Sequence, residues 1–240
     1  MSAVPANGQD LLRLSGVHAY YGESHILHGV DLTVRRGEVV TLLGRNGSGR
    51  TTTLKAILGL VGRRTGSVLI DGVEAVGLPP HRIARMGLGY CPEERGIFAS
   101  LNCEENLLLP PLVADGGMTV DEIYEMFPNL RERRGSPGMR LSGGEQQMLA
   151  VARILRTGAK LLLLDEMSEG LAPVIVEKLA EMVGALRRQG YTIVMVEQNF
   201  RFAAPLADRF LVMEHGQVIQ EFTQAELPSR LERLHEYLGV

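Results

Sequence analysis

Tryptophan is absent from the 240 residues, and aromatic residues make up 5% of the chain. A core built here must therefore rest on aliphatic side chains. There are two cysteines, Cys91 and Cys103, in none of the paired spacings of a zinc site or a disulfide framework, which points to a reducing compartment and to two buried thiols. No apolar run approaches the roughly eighteen residues needed to cross a bilayer, and Met1 to Asp10 lacks the basic-then-apolar layout of a signal peptide. The expected location is cytoplasmic, with membrane contact only through a partner. With 25 basic against 28 acidic residues the net charge is -3, which leaves no polycationic face for nucleic acid and no basic tail for anionic lipid.

Glycine is plentiful, at 28 residues, which suits an α/β protein whose glycines sit at strand-to-helix turns. Leu11 to Val34 alternates apolar and polar residues and predicts antiparallel strands with one solvated face. Glu38 to Leu43 ends in a short β-branched and apolar run suited to a buried strand, and Gly44 follows at once. Thr51 to Leu60 has a helical pattern that stops near Gly59 and Gly62. Further strands are predicted at Ser67 to Ile70 and Gly87 to Cys91. Lys160 to Leu164 and Thr192 to Val196 read as central parallel strands, with an amphipathic helix from Val174 to Gln189 between them. From about Glu104 to Arg156 the pattern is mostly helical, which suggests an inserted subdomain, and Leu231 to Leu238 reads as a terminal amphipathic helix.

Three stretches carry chemistry. Gly44-Arg45-Asn46-Gly47-Ser48-Gly49-Arg50-Thr51-Thr52 lies between a buried strand and a helix, where a phosphate-binding loop belongs. Its glycines let consecutive amides wrap phosphate oxygens, the following helix adds its positive N-terminal end, and Thr51 supplies a hydroxyl for magnesium. The loop pattern expects lysine where Arg50 stands, and a planar guanidinium is not equivalent to a compact ammonium between phosphates. Lys55 does not obviously substitute, because five residues of helix rise about 7.5 Å. The second stretch, Leu161 to Glu166, is four apolar residues followed by two carboxylates at the C-terminal end of a strand. There Asp165 can enter a magnesium shell and Glu166 can polarise a water. The third is Leu141-Ser142-Gly143-Gly144-Glu145-Gln146-Gln147, in which Ser142 is a good N-cap and the two glycines expose amides at a helix start.

In this order and spacing the three motifs resemble the ATP-binding-cassette family, over about Leu11 to Gly216. The resemblance implies a phosphate-loop α/β core with a parallel sheet, an antiparallel β subdomain and an inserted helical subdomain, all in one ATPase domain over 8–240. The core would span about 8–92 and 157–240, and the helical subdomain about 93–156. It also implies two cassettes joined head to tail, so that the phosphate loop and Asp165-Glu166 of one meet Ser142, Gly143 and Gly144 of the other across ATP. Tyr21 matches the adenine-stacking aromatic, although Tyr20 is adjacent.

Within the family the chain is most similar to cassettes of branched-chain amino-acid importers. Glu197-Gln198-Asn199 stands where most cassettes carry a switch histidine, so Gln198 would contact the γ-phosphate through an amide that does not titrate. Tyr90 to Phe98 resembles the loop that couples to the membrane subunit, with Glu93 where many cassettes have glutamine and where magnesium and γ-phosphate would be met. Ser168 to Pro173 resembles the loop after the second motif, but Met167 replaces the usual proline. The implied machine binds ATP and Mg2+, uses Glu166 as base, and works on the inner face of the cell membrane. Its implied partners are a second, different cassette, integral permease subunits and, indirectly, a periplasmic solute-binding protein, without nucleic acid. A urea or amide importer would look similar, and an envelope-lipid exporter shares much of the pattern but carries histidine at the Gln198 position. Arg50 and Met167 together raise a further alternative, a nucleotide-binding cassette of impaired hydrolysis beside a competent paralogue.

Overall fold

The computed structural model describes residues 10–238; the signal-peptide reading of Met1 to Gln9 and both extremes of the 8–240 domain lie outside the described residues. The chain opens with a long hairpin, β1 (Asp10–Tyr21) and β2 (Ser24–Arg35), turned at Gly22, whose φ of 56° suits glycine. β3 (Val39–Leu43) then runs into the glycine loop and α1 (Arg50–Leu58). This helix ends one residue before left-handed Gly59, whose N–H returns to the carbonyls of Ala56 and Lys55. β4 (Arg63–Ile70) starts four residues before the Ser67 predicted from the sequence, and β5 (Val73–Glu74) completes an antiparallel sheet of order β2-β1-β4-β5.

The second sheet is assembled from non-consecutive segments. After α2 (Pro80–Ala84) comes β6 (Leu88–Cys91), then the short helices α3 (Cys103–Leu108), α4 (Val120–Met126) and α5 (Pro128–Glu132), and the longer α6 (Gly143–Arg156). β7 (Leu161–Asp165), α7 (Pro173–Arg188), β8 (Thr192–Val196), α8 (Phe200–Ala203), β9 (Arg209–Glu214), β10 (Gln217–Thr223) and α9 (Leu227–Leu238) follow. The order is β10-β9-β3-β8-β7-β6, with every pairing parallel except that of the edge hairpin β9–β10. Neither β9 nor β10 was foreseen from the sequence, and 104–156 holds several brief helices separated by loops rather than a continuous run.

Strand β7 explains the layering. All five of its residues are buried. Leu161 and Leu163 face a core shared with α1 and the antiparallel sheet, whereas Leu162 and Leu164 face a second core shared with α6 and α7. A period of two in a run without polar residues means apolar cover on both faces, which α/β layering supplies. The antiparallel sheet stands in for helices on one side. Replacing Leu163 by Ala should lower unfolding stability by about 2–5 kcal/mol; a shift in the denaturant midpoint measures it, and a change below 1 kcal/mol would contradict this packing.

Candidate functional site

Because β3, β8 and β7 are adjacent and parallel, their C-terminal ends open onto one edge. The glycine loop, Asp165-Glu166 and Glu197-Gln198 all leave from that edge, and ligands bind at such ends. A cleft of about 470 Å3 lies there, bordered by Tyr21, Ile26, the whole run Asn46 to Thr52, Glu93, Glu166, Glu169 and Gln198. Gly44 sits just behind the loop, its Cα so close to Ser48 Oγ and the Met213 carbonyl that a Cβ would lie 2.6 and 2.4 Å from them. Gly47 and Gly49 hold φ of 79° and 106°, so the loop's tight path depends on residues without a Cβ. Ser48 Oγ is buried without a hydrogen-bond partner inside this loop.

Asp165 is buried, and its carboxylate accepts hydrogen bonds from Thr51 Oγ1 at 2.9 Å and from the Tyr90 hydroxyl at 3.1 Å. Burial raises its pKa, opposed by those two donors. The same burial and the carboxylate beside it push the Tyr90 phenol well above its usual range, so Tyr90 remains a donor. Hydroxyl and carboxylate within hydrogen-bond reach are the hard oxygen donors that Mg2+ prefers, as few as it needs when substrate phosphates supply more. Among the described residues no three His, Cys, Asp or Glu side chains could hold a metal by themselves.

Glu166 occupies an unusual backbone position, with φ of 49° in a non-glycine residue. Its N–H bonds the Val196 carbonyl at 2.9 Å, and its carboxylate meets the Arg50 guanidinium at 2.9 Å, both side chains nearly sealed from solvent. Arg50 also donates to the Glu197 carbonyl at 2.9 Å and to Asn46 Oδ1 at 3.3 Å. Burial raises the Glu166 pKa, and the Arg50 guanidinium opposes that rise. Gln198 Nε2 lies 3.4 Å from Glu166 Oε1 and also donates to Asn46 Oδ1. Met167 is buried in the apolar core instead of fixing the backbone as a proline ring would.

The structure separates the two adjacent tyrosines. Tyr21 is 41% exposed on the cleft, whereas Tyr20 stacks on His25, at 4.3 Å, and meets the Arg63 guanidinium, at 3.9 Å from its ring centre. The third motif is not part of this cleft. Ser142 caps α6 reciprocally with Glu145 and is exposed; Gly143 stands beside the Arg95 guanidinium. Gly144 is buried with its Cα against Ile175, where a Cβ would approach to 2.8 Å. Its lack of a side chain permits close packing of α6 on α7. Residues that sequence reasoning left without a part are Ile26, Tyr90, Ser168, Glu169 and Glu197. For Glu197 the signal was present: a carboxylate ending an all-apolar strand.

Loop, carboxylate pair and sheet order define a nucleotide-binding α/β protein of the phosphate-loop type. A family model described as ABC transporter matches residues 27–169. The high-affinity branched-chain amino acid transport ATP-binding protein BraG of Pseudomonas aeruginosa is 41% identical over 95% of this chain and 100% of its own length. A probable branched-chain amino acid transport ATP-binding protein, LivF of Archaeoglobus fulgidus, is 36% identical over 90% and 94%. The lipopolysaccharide export ATP-binding protein LptB of Escherichia coli is 34% identical over 92% and 93%. A solved ATP-binding subunit of an ABC transporter superposes with a TM-score of 0.80 at 26% identity, covering 96% of this chain and 100% of that one. The chain belongs to the ATP-binding-cassette transporter family, and that membership implies ATP binding and hydrolysis. Among the described residues no helix is long and apolar enough to cross a membrane.

Glu197 is 1% exposed, and burial pushes its carboxyl up to about 7, against the two bonds it accepts from Ser168. A carboxyl whose folded pKa is raised contributes stability that is complete below its unfolded value, near 4.5, and is lost as pH rises through about 7. In nucleotide-free protein the thermal midpoint of Glu197→Gln should therefore depend less on pH between 4.5 and 7.5 than that of the parent. Parallel curves for the two proteins would contradict it.

Proposed function

We propose that the chain is the ATP-hydrolysing subunit of an importer for branched-chain or related amino acids. The observation that carries the reading is one cleft uniting the phosphate loop, Glu166 and Gln198, with Asp165 and Thr51 bonded to each other at its base. The BraG and LivF relatives, both branched-chain amino acid transport proteins, supply the solute class, and their identities of 41% and 36% exceed the 34% of the lipopolysaccharide exporter subunit. Gln198 also favours the importer reading, because the exporter type resembles the histidine-bearing form.

In this reading the amides of Asn46 to Thr52 and the α1 N-terminus hold the phosphates, Ser48 Oγ finds its missing partner there, and Tyr21 stacks on the adenine. Thr51 and Asp165 hold Mg2+, which neutralises phosphate charge when bound, with Glu93 at the cleft rim as a further oxygen donor. Glu166 accepts the proton of the attacking water, and Gln198 holds the γ-phosphate side through its amide. Ser142, Gly143 and Gly144 serve the site of a second, different cassette, a use consistent with a place away from their own cleft. A dimeric bacterial ABC transporter cassette superposes with a TM-score of 0.77 at 25% identity, over 89% of this chain and 98% of that one. The helical segment 93–156 forms a subdomain, and its loop Tyr90 to Phe98 couples to integral permease subunits on the inner face of the membrane. A periplasmic binding protein then presents the solute.

A second reading concerns rate. Arg50 is held by Glu166, Asn46 and the Glu197 carbonyl, and its guanidinium must leave the carboxylate before that carboxylate can act as base. Reduced turnover at intact nucleotide binding follows. Phosphate release by the purified chain with MgATP should vanish in Glu166→Gln while ATP binding persists, and Arg50→Lys should raise kcat several-fold. Release undiminished by Glu166→Gln would overturn the assignment of the base, and unchanged kcat in Arg50→Lys would dismiss the slow cassette. Tyr21→Ala should weaken ATP binding about five-fold, the equivalent of about 1 kcal/mol of ring stacking; titration with ATP against a triphosphate lacking the base measures it.

A further inference from the structure

The turn that carries Glu166 has no proline to stiffen it and a strained residue at its centre, yet its geometry is over-determined from one direction. Glu166 N–H is held by the Val196 carbonyl at 2.9 Å. Two residues on, both donors of Ser168 end on one side chain. Its N–H reaches Glu197 Oε1 at 3.2 Å and its hydroxyl reaches Glu197 Oε2 at 2.8 Å. Glu197 is in turn fixed at its own backbone, where its N–H reaches the Leu42 carbonyl at 3.3 Å and its carbonyl receives Arg50. Strands β3 and β8, the Arg50 side chain and the turn after β7 therefore meet at this one buried residue.

Burying a carboxyl costs free energy unless it is hydrogen-bonded, so a carboxyl in this position needs a structural return. The return is the conformation of the turn. A left-handed backbone at a non-glycine residue costs on the order of 1–3 kcal/mol and persists only where its surroundings hold it. Glu197 is buried and is not among the residues that border the cleft.

We propose that Glu197 is a positioning residue for ATP hydrolysis: its carboxylate clamps Ser168, and through Ser168 it holds the Glu166 carboxylate at the place where it takes the proton of the attacking water. The clamp replaces in this chain the backbone restraint that a proline at position 167 would give. It also joins two segments of the site, since the residue after Glu197 is Gln198 and the residue after Ser168 is Glu169, both on the cleft wall. Displacement of one segment is thereby transmitted to the other.

The proposal rests on Glu166 acting as the base, so the Glu166→Gln control is run beside it. Steady-state kinetics and ATP affinity are measured for Glu197→Ala, Glu197→Gln, Ser168→Ala and the double variant Glu197→Ala/Ser168→Ala. Expected are a kcat at least ten-fold lower in Glu197→Ala with the ATP dissociation constant within two-fold of the parent, and recovery to within about three-fold in Glu197→Gln. The amide oxygen of glutamine can accept from the Ser168 N–H while its amino group donates to Ser168 Oγ. The double variant should be no worse than Glu197→Ala alone, because both remove the same contact. A kcat within two-fold of the parent in Glu197→Ala, or a Glu197→Gln as impaired as the alanine variant, overturns the proposal. If Glu197→Ala does not fold, Ser168→Ala decides: lowered kcat at unchanged ATP affinity supports the clamp, and unchanged kcat overturns it. If Glu166→Gln itself releases phosphate at the parent rate, the assignment of the base is what has failed.

Discussion

A guanidinium and a carboxylate 2.9 Å apart, both shut away from water, hold the centre of this molecule: Arg50 at the start of α1 and Glu166 just beyond β7. Neither group could be buried alone. Removing one partner of such a pair costs about 3–5 kcal/mol, since the remaining charge keeps its desolvation penalty and loses its counter-charge. The pair ties the phosphate loop to the carboxylate turn, and the Arg50 bonds to Asn46 and to the Glu197 carbonyl extend the tie across β8. The same contact that organises the cleft occupies the group expected to activate water, so architecture and rate are set by one interaction.

That pair can exist only because the sheet brings distant segments to one edge. Residue 50 and residue 166 are joined through the order β3-β8-β7, in which β8 lies between the two strands that carry them. Each central strand is buried on both faces, with odd leucines of β7 in one core and even leucines in the other. A close-packed, two-sided sheet is a stiff platform, and the polar groups are placed on the loops at its end. The exposed parts, Tyr21, Glu93, Glu169 and Gln198, stand around the cleft where nucleotide can reach them.

Much of this was legible in the sequence, for local reasons. A buried strand followed by closely spaced glycines and a helix forces a phosphate loop, and four leucines followed by Asp165-Glu166 place carboxylates at the end of a central strand. Ser142 with Glu145 three residues on is a reciprocal cap whose partners are fixed by spacing alone. Where the reading missed, long-range packing decided. Strand β9 pairs in parallel with β3, Arg209 standing opposite Val40 across 169 residues of chain, and no local pattern announces it. The contact of Gly144 with Ile175, which its lack of a side chain permits, is likewise set by packing and not by local pattern.

The sequence by itself determined the kinds of chemistry available: which residues can hold phosphate, which can bind a hard cation, and that the switch position carries an amide and not an imidazole. Those follow from residue type and spacing within single turns. Only the tertiary structure decided how the groups pair. It chose Tyr21 over Tyr20 for the cleft, set Arg50 on Glu166, and gave both Ser168 donors to Glu197. Those choices depend on the geometry of burial, because a charged or polar group excluded from water must take whichever partner the packing places within reach.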